Sequence, residues 1–170
     1  MGFFQLEKGS EVEGRIAMRM AASALLLAQS IILALSIIPL RADPSQHGSK
    51  DEAVAMVKRV EDIFNKEGAA ATFKAVSDPS TEAFHDRDLY PFIYNLSGLC
   101  VAHGVRPALI GKNLIDLKDA REMIDLVKGP GSGWVDYKWP TPQTNRIEDK
   151  STYVEKLGNS YFVGVGIYRE

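Results

Sequence analysis

Between Met20 and Leu40 the chain carries no charged residue. Arg15 and Arg19 stand before this run and Arg41 follows it. Its 21 residues reach across a bilayer when helical. A helix apolar on every side needs a core all round it, which a small cytosolic domain does not supply. Two fates remain. Pro39 breaks the helix and Ala42 sets a small residue before Asp43-Pro44, as in a cleaved signal peptide. Against this, Leu40 is bulky where such sites want a small residue, although a cut after Ser36 would use Ala34. The run is also long enough to stay as an anchor. Residues 1–42 are therefore read as a signal peptide or signal anchor, with cleavage favoured; Met18 and Met20 are alternative starts. Basic residues ahead of the run hold the N-terminus inside. Either fate places the rest in the periplasm or on the extracytoplasmic face of the membrane. Membrane contact is expected only through residues 20–40, if uncleaved.

The remainder suits one compact domain. A formal charge of -2 offers no electrostatic footprint for nucleic acid. Cys100 is the sole cysteine, so neither an intramolecular disulfide nor a cysteine zinc site can form. It reads as a small apolar core residue. His47, His85 and His103 lack ligand spacing, so no metal and no cofactor are expected. His47 and His85 lie in polar surroundings and read as surface residues.

Residues 43–50 (DPSQHGSK) form a polar linker. Ser49 followed by Glu52 is a capping box that opens a helix. Ala53, Met56, Val57, Val60, Ile63 and Phe64 then recur at helical spacing, and Gly68 is a plausible stop. A second short helix spans Ala69–Val76. Leu89–Tyr94 and Leu99–His103 read as a hairpin, with Tyr90, Phe92 and Tyr94 on one face. Asp119–Lys128 fits a helix with Met123, Ile124 and Val127 inward. Three strands follow: Gly133–Trp139, Ser151–Lys156 and Tyr161–Tyr168. Pro140–Lys150 is read as the polar loop between the first two. These elements predict an α+β domain over residues 51–170, with a five-stranded antiparallel sheet.

Several segments carry a family resemblance. They are AHG (Ala102–Gly104), IGKNLIDLKD (Ile110–Asp119), GSGWVDYKWP (Gly131–Pro140) and VGVGIY (Val163–Tyr168). In this order and spacing the chain resembles the single Cache domain family, extracytoplasmic PAS-like sensors of chemoreceptors, sensor kinases and stand-alone secreted proteins. The resemblance covers roughly Glu52 to Tyr168. It implies a PAS-like fold, with a long N-terminal helix packed on a five-stranded antiparallel sheet and a pocket on the other face. It also implies binding of small metabolites, commonly short carboxylates. One departure is a shorter connection between Asp119 and Arg121, where a glycine-containing insert is missing.

Within that frame the residues 134–139 are the most unusual local feature. Strand alternation puts Trp134, Asp136 and Lys138 on one face and Val135, Tyr137 and Trp139 on the other. A pocket needs apolar walls and a few polar anchors. A buried lysine can hold a carboxylate and a tyrosine hydroxyl can add a hydrogen bond. The bland alternative makes the aromatics core and Lys138 solvated; the resemblance tips the balance to the pocket. His103 is either a pocket donor or a satisfied strand end. Tyr94 and Tyr153 face either the pocket or the helix; Lys150 has the same two options, with a solvated lysine as the commoner outcome. The candidate ligand-binding set is thus Tyr94, His103, Trp134, Tyr137, Lys138, Trp139, Lys150 and Tyr153. Gly164 and Gly166 share one strand face, which suggests close approach of a ligand or a helix.

No catalytic residue is nominated. Gly129–Gly133 follows a helix and precedes a strand, the reverse of a phosphate loop. Acidic pairs such as Glu61-Asp62 are adjacent and point apart. The expected function is extracytoplasmic small-molecule sensing for a short carboxylate or similar metabolite, not catalysis, with output through a membrane signalling partner. The alternative is a structural or adaptor domain of a membrane complex without its own ligand.

Overall fold

A computed structural model describes residues 47–169. The Met20–Leu40 run, and the readings that depend on it, lie outside the described residues. Among those described, no helix is long and apolar enough to cross a membrane.

The first helix, α1 (Lys50–Glu67), begins at the expected capping box. The Ser49 side chain accepts from the Glu52 amide, and the Glu52 carboxylate accepts from the Ser49 amide at 2.8 Å. Two of the amides left over at a helix start are thereby satisfied. Ala53, Met56, Val57 and Val60 are buried, and Ile63 and Phe64 pack partly against the same core. Gly68 closes the helix at φ 83°, where a side chain would be strained. Helix α2 (Ala69–Ser77) follows directly, and α3 (Lys118–Lys128) comes later with Met123, Ile124 and Val127 inward.

The strands are β1 (Pro91–Asn95), β2 (Cys100–His103), β3 (Ser132–Pro140), β4 (Ile147–Leu157) and β5 (Tyr161–Tyr168). They form one antiparallel sheet in the order β2-β1-β5-β4-β3. The two terminal elements of the strand sequence, β1 and β5, lie side by side at its centre. On one face α1 and α2 bury Ile93, Ala102, Leu157, Val163 and Val165. On the other, α3 covers Phe92, Tyr94, Cys100, Val135, Val154 and Phe162. Cys100 is a buried core residue, as expected, with its thiol pushed up to about 12 by burial.

Two segments differ from what the sequence predicts. Strand β4 starts at Ile147, so the expected loop Pro140–Lys150 shrinks to residues 141–146. Ile147, Glu148 and Asp149 lack a buried partner face, and the local pattern is too polar to read as strand. They are held instead by the ladder to β3, which runs to Pro140↔Ile147. The linker is also more structured than its composition implies at its end. Gly48 N–H donates to Asp88 at 2.7 Å, and His47 Nδ1 lies 2.8 Å from the same carboxylate. His47 is thus a bonded residue and not a free surface one.

Candidate functional site

Strand alternation puts Lys150, Thr152 and Val154 of β4 on the face covered by α3, along with Phe162, Gly164, Gly166 and Tyr168 of β5. Register pairs Lys150 with Tyr168 on one side and Tyr137 on the other. A methyl group at Gly166 would collide with Lys150 Cε and Thr152 Oγ1. The missing side chain therefore lets Lys150 lie across β5 toward β1. One at Gly164 would strike the Phe92 ring. Both glycines make room for side chains of neighbouring strands, where a ligand or a helix was expected.

Lys150 is only 1% exposed. Its Nζ donates to Tyr90 Oη at 2.8 Å and lies 4.1 Å from the Tyr90 ring centroid and 4.7 Å from that of Tyr168. Tyr168 donates its hydroxyl proton to the Pro140 carbonyl at 2.9 Å. Its oxygen then accepts from Tyr90 at 3.1 Å. The relay runs from Lys150 through Tyr90 and Tyr168 to the backbone, and no anion takes part. Among the described residues Lys150 forms no ion pair. Burial holds its ammonium down to about 7; Asp88 nearby favours the charge and Arg106 opposes it.

His103 sits opposite Phe92 at the end of β2 and stacks on it, with ring centroids 6.1 Å apart. Its Nδ1 accepts from the amides of Val105 at 3.3 Å and Arg106 at 3.1 Å. Burial, reinforced by the charges of Lys150 and Arg106, lowers its pKa to about 3. The ring is neutral, and with Nδ1 an acceptor its proton sits on Nε2. Arg106 adds a second cation nearby. Its guanidinium reaches Asn145 Oδ1 at 2.8 Å, while its Nε is buried with no partner among the described residues.

Lys150 and His103 line one small cavity together with Tyr90, Phe92, Tyr94, Asp119, Met123, Tyr137 and Trp139. It encloses about 10 Å³, room for roughly one water. Five of the sequence candidates, Tyr94, His103, Tyr137, Trp139 and Lys150, meet here. The other three do not. Trp134 and Tyr153 pack on each other at 5.5 Å on the α1 face, and Lys50 Nζ lies 4.8 Å above the Trp134 ring. Lys138 is solvated and pairs with Asp149 at 2.7 Å. Tyr90, Phe92, Asp119, Met123 and Tyr168 are site neighbours that the sequence reading did not nominate. Alternation had already put Tyr90 and Phe92 on the face of Tyr94. Asp119 and Met123 stand four apart on α3, hence on one side of it.

His103 has no carboxylate partner among the described residues, and no cluster of His, Cys, Asp and Glu could hold a metal there. The cavity is thus bounded by a buried cation, aromatic rings and a neutral histidine.

Residues 53–170 match the family model of the Cache domain. The chain belongs to the Cache domain family. Cache domains are sensory ligand-binding domains. Over 118 residues, 64% of its length, the chain is 30% identical to the sensor histidine kinase MctS of Rhizobium johnstonii (strain DSM 114642 / LMG 32736 / 3841). It spans 25% of that kinase. Two solved structures share the fold. A Cache chemosensory domain described for carboxylic acid recognition aligns with TM-score 0.55 at 22% identity, covering 71% of this chain and 88% of that one. The periplasmic sensor domain of a chemotaxis protein aligns with TM-score 0.54 at 23% identity, covering 71% and 90%. The expected α+β, PAS-like architecture is the one observed.

Proposed function

We propose that this Cache domain senses a short carboxylate on the extracytoplasmic side of a membrane and passes occupancy to a signalling partner. The observation that carries the ligand class is Lys150. It is a fully buried ammonium facing a cavity, and among the described residues it is hydrogen-bonded only to tyrosines and paired with no anion. Burying an unpaired cation is costly, and a carboxylate entering beside it relieves that cost. His103, on the same cavity, supplies a further donor at Nε2–H, and the Arg106 charge is felt at Lys150. The family's solved member with carboxylic acid recognition supports this reading, as does relation to a sensor kinase for the partner. The Met20–Leu40 run and the periplasmic neighbour support the compartment.

Thermal-shift measurements with acetate, propionate, pyruvate and lactate test the ligand. A ligand at about a hundredfold over its Kd stabilises the fold by about 2.7 kcal/mol. Stabilisation by one of the four, lost in Lys150→Met, is the expected result. An alkaline phosphatase fusion after Glu170 tests the compartment, since that reporter is active only outside the inner membrane.

The small enclosed volume favours a second reading, a structural or adaptor domain with no ligand of its own. A ligand of two or three carbons needs more than one water's room, so side chains such as flexible Met123 must move aside. No stabilisation by any member of the panel would favour the adaptor.

A further inference from the structure

The two edges of the sheet are finished differently. At the β2 edge the chain folds back on itself. Cys100 N–H donates to Lys112, Cys100 C=O accepts from Gly111, and Leu99 bridges Asn113. A bulge also shifts the β1–β2 register between Ile93 and Tyr94. The β3 edge has neither device. Its register with β4 runs unbroken from Ser132 to Pro140. In that same register Gly131 C=O bonds Lys156 and Thr141 N–H bonds Arg146, so the odd-numbered residues turn their backbone groups inward. Those of Ser132, Trp134, Asp136 and Lys138 point outward, and among the described residues no backbone group bonds them. Pro140, which has no N–H, ends the open stretch. Asp136 and Lys138 stand two apart on this edge, both exposed and opposite in charge.

We infer that β3 is the contact between two copies of this chain, paired antiparallel about Tyr137 so that their sheets join into one. In that register Asp136 of each copy lies opposite Lys138 of the other, and the outward backbone groups of both exchange hydrogen bonds. Symmetric pairing about Asp136 or about Lys138 sets like charges face to face, and pairing about Val135 leaves both without a counter-charge. Within each copy Lys138 already pairs with Asp149 at 2.7 Å and Asp136 with Arg169, so the sign of charge alternates across the joint. On the other face Val135 meets Trp139, an aromatic and a branched side chain that stabilise such a pair. The competing explanation is that Asp136 and Lys138 guard a bare edge, as exposed charges do on many edge strands. A guard of one sign repels every copy. This edge carries both signs, at the spacing of one register.

Sedimentation velocity of the full chain in mild detergent, over a range of concentrations, tests the contact. Wild type should dimerise. Asp136→Lys and Lys138→Asp each turn both cross-copy pairs into repulsions, and each should weaken the dimer by at least roughly tenfold. An equal mixture of the two variants should dimerise like wild type, because each supplies the charge the other lacks. So should the double exchange, Asp136→Lys with Lys138→Asp. Wild type that stays monomeric at millimolar concentration overturns the inference. So does a dimer that both reversals leave unchanged, since association through another segment, such as the Met20–Leu40 run, is indifferent to these charges. Loss in the single variants that neither the mixture nor the double exchange restores overturns the register. Tyr137→Cys gives a measurement that needs no charge reversal. Its paired Cβ atoms would lie about 4.5–5.5 Å apart, near enough for mild oxidation to link the copies through a disulfide. Cys100 is buried and does not compete. A Tyr137→Cys chain that stays unlinked under oxidation also overturns the contact.

Discussion

At the scale of single residues, Lys150 is a buried charge that costs the fold stability. Its ammonium is buried against two tyrosines with no counter-ion among the described residues, an arrangement that destabilises the folded state wherever the lysine is charged. Lys150→Met keeps the length and removes the charge. It should raise stability at pH 6 by about 1–3 kcal/mol in urea denaturation, while abolishing stabilisation by carboxylates. Unchanged or lower stability would mean that the tyrosine relay compensates the buried charge. Gly166 is the complementary case. Gly166→Ala puts a methyl group where Lys150 Cε and Thr152 Oγ1 now lie. The expected cost is about 1–3 kcal/mol, measured by denaturation, together with weakened ligand binding because Lys150 is displaced. Gly164→Ala should cost a similar amount by pressing on Phe92, but it leaves Lys150 in place.

At the scale of elements, the start of α1 is pinned from two directions. The Ser49–Glu52 capping box closes the helix on itself, and Ser49→Ala should cost about 1 kcal/mol. Asp88 reaches the same place from the turn before β1. It is buried, accepts from Gly48 N–H and His47, and lies two residues before Tyr90. Arg87, at φ 56°, braces this turn by bridging Glu52 and Asp86. Asp88→Ala leaves the buried Gly48 amide without its acceptor, a loss of about 1–3 kcal/mol. Hydrogen exchange should then speed up at the first turn of α1 before the rest of the sheet is affected. Uniform acceleration across all strands would show instead that Asp88 supports the whole fold. The β3–β4 hairpin shows the limit of local patterns. Its outer end, from Lys138 to Asp149, is held by ladder bonds and an exposed ion pair, neither of which leaves an alternation to read.

At the scale of the whole molecule, buried titratable groups set how stability varies with pH. The Lys150 ammonium is held by burial at about 7, against 10.5 in the unfolded chain. Between those values the unfolded chain carries a proton that the folded one lacks, so stability rises with pH across that window. His103 acts the same way lower down. Its folded value of about 3 lies below the ordinary 6.5, so stability is lost as pH falls from 6.5 toward 3. Tyr94 and Tyr137 are pushed upward by burial from 10.0, so stability falls again above that value. Urea denaturation from pH 4 to 11 should show a maximum between the lysine rise and the tyrosine fall. In Lys150→Met the rise above about pH 7 should vanish while the His103 rise at lower pH stays. A rise that survives the substitution would assign it to another group. Carboxylate affinity should run the opposite way, weakening as pH climbs past the point where Lys150 loses its proton.

Much of this was determined by the sequence alone. Residues Ser49 to Gly68 carry a cap, a stripe and a stop, all local signals, and α1 obeys each of them. Alternation in β1 is equally local, so Tyr90, Phe92 and Tyr94 were bound to share a face. Which face is the pocket is another matter. The pattern of β3 splits Trp134, Asp136 and Lys138 from Val135, Tyr137 and Trp139, but is symmetric as to which set turns toward α3. Only the packing of α1 and α2 on one side of the sheet and α3 on the other decided it, sending Trp134 and Tyr153 to the helical core and Tyr137 and Trp139 to the cavity. Lys150 depended on the tertiary structure most of all. In the chain it is one polar residue at the end of a polar stretch. Its burial comes from the register of β4 on β5 and the gap over Gly166, a contact between strands that no local pattern encodes.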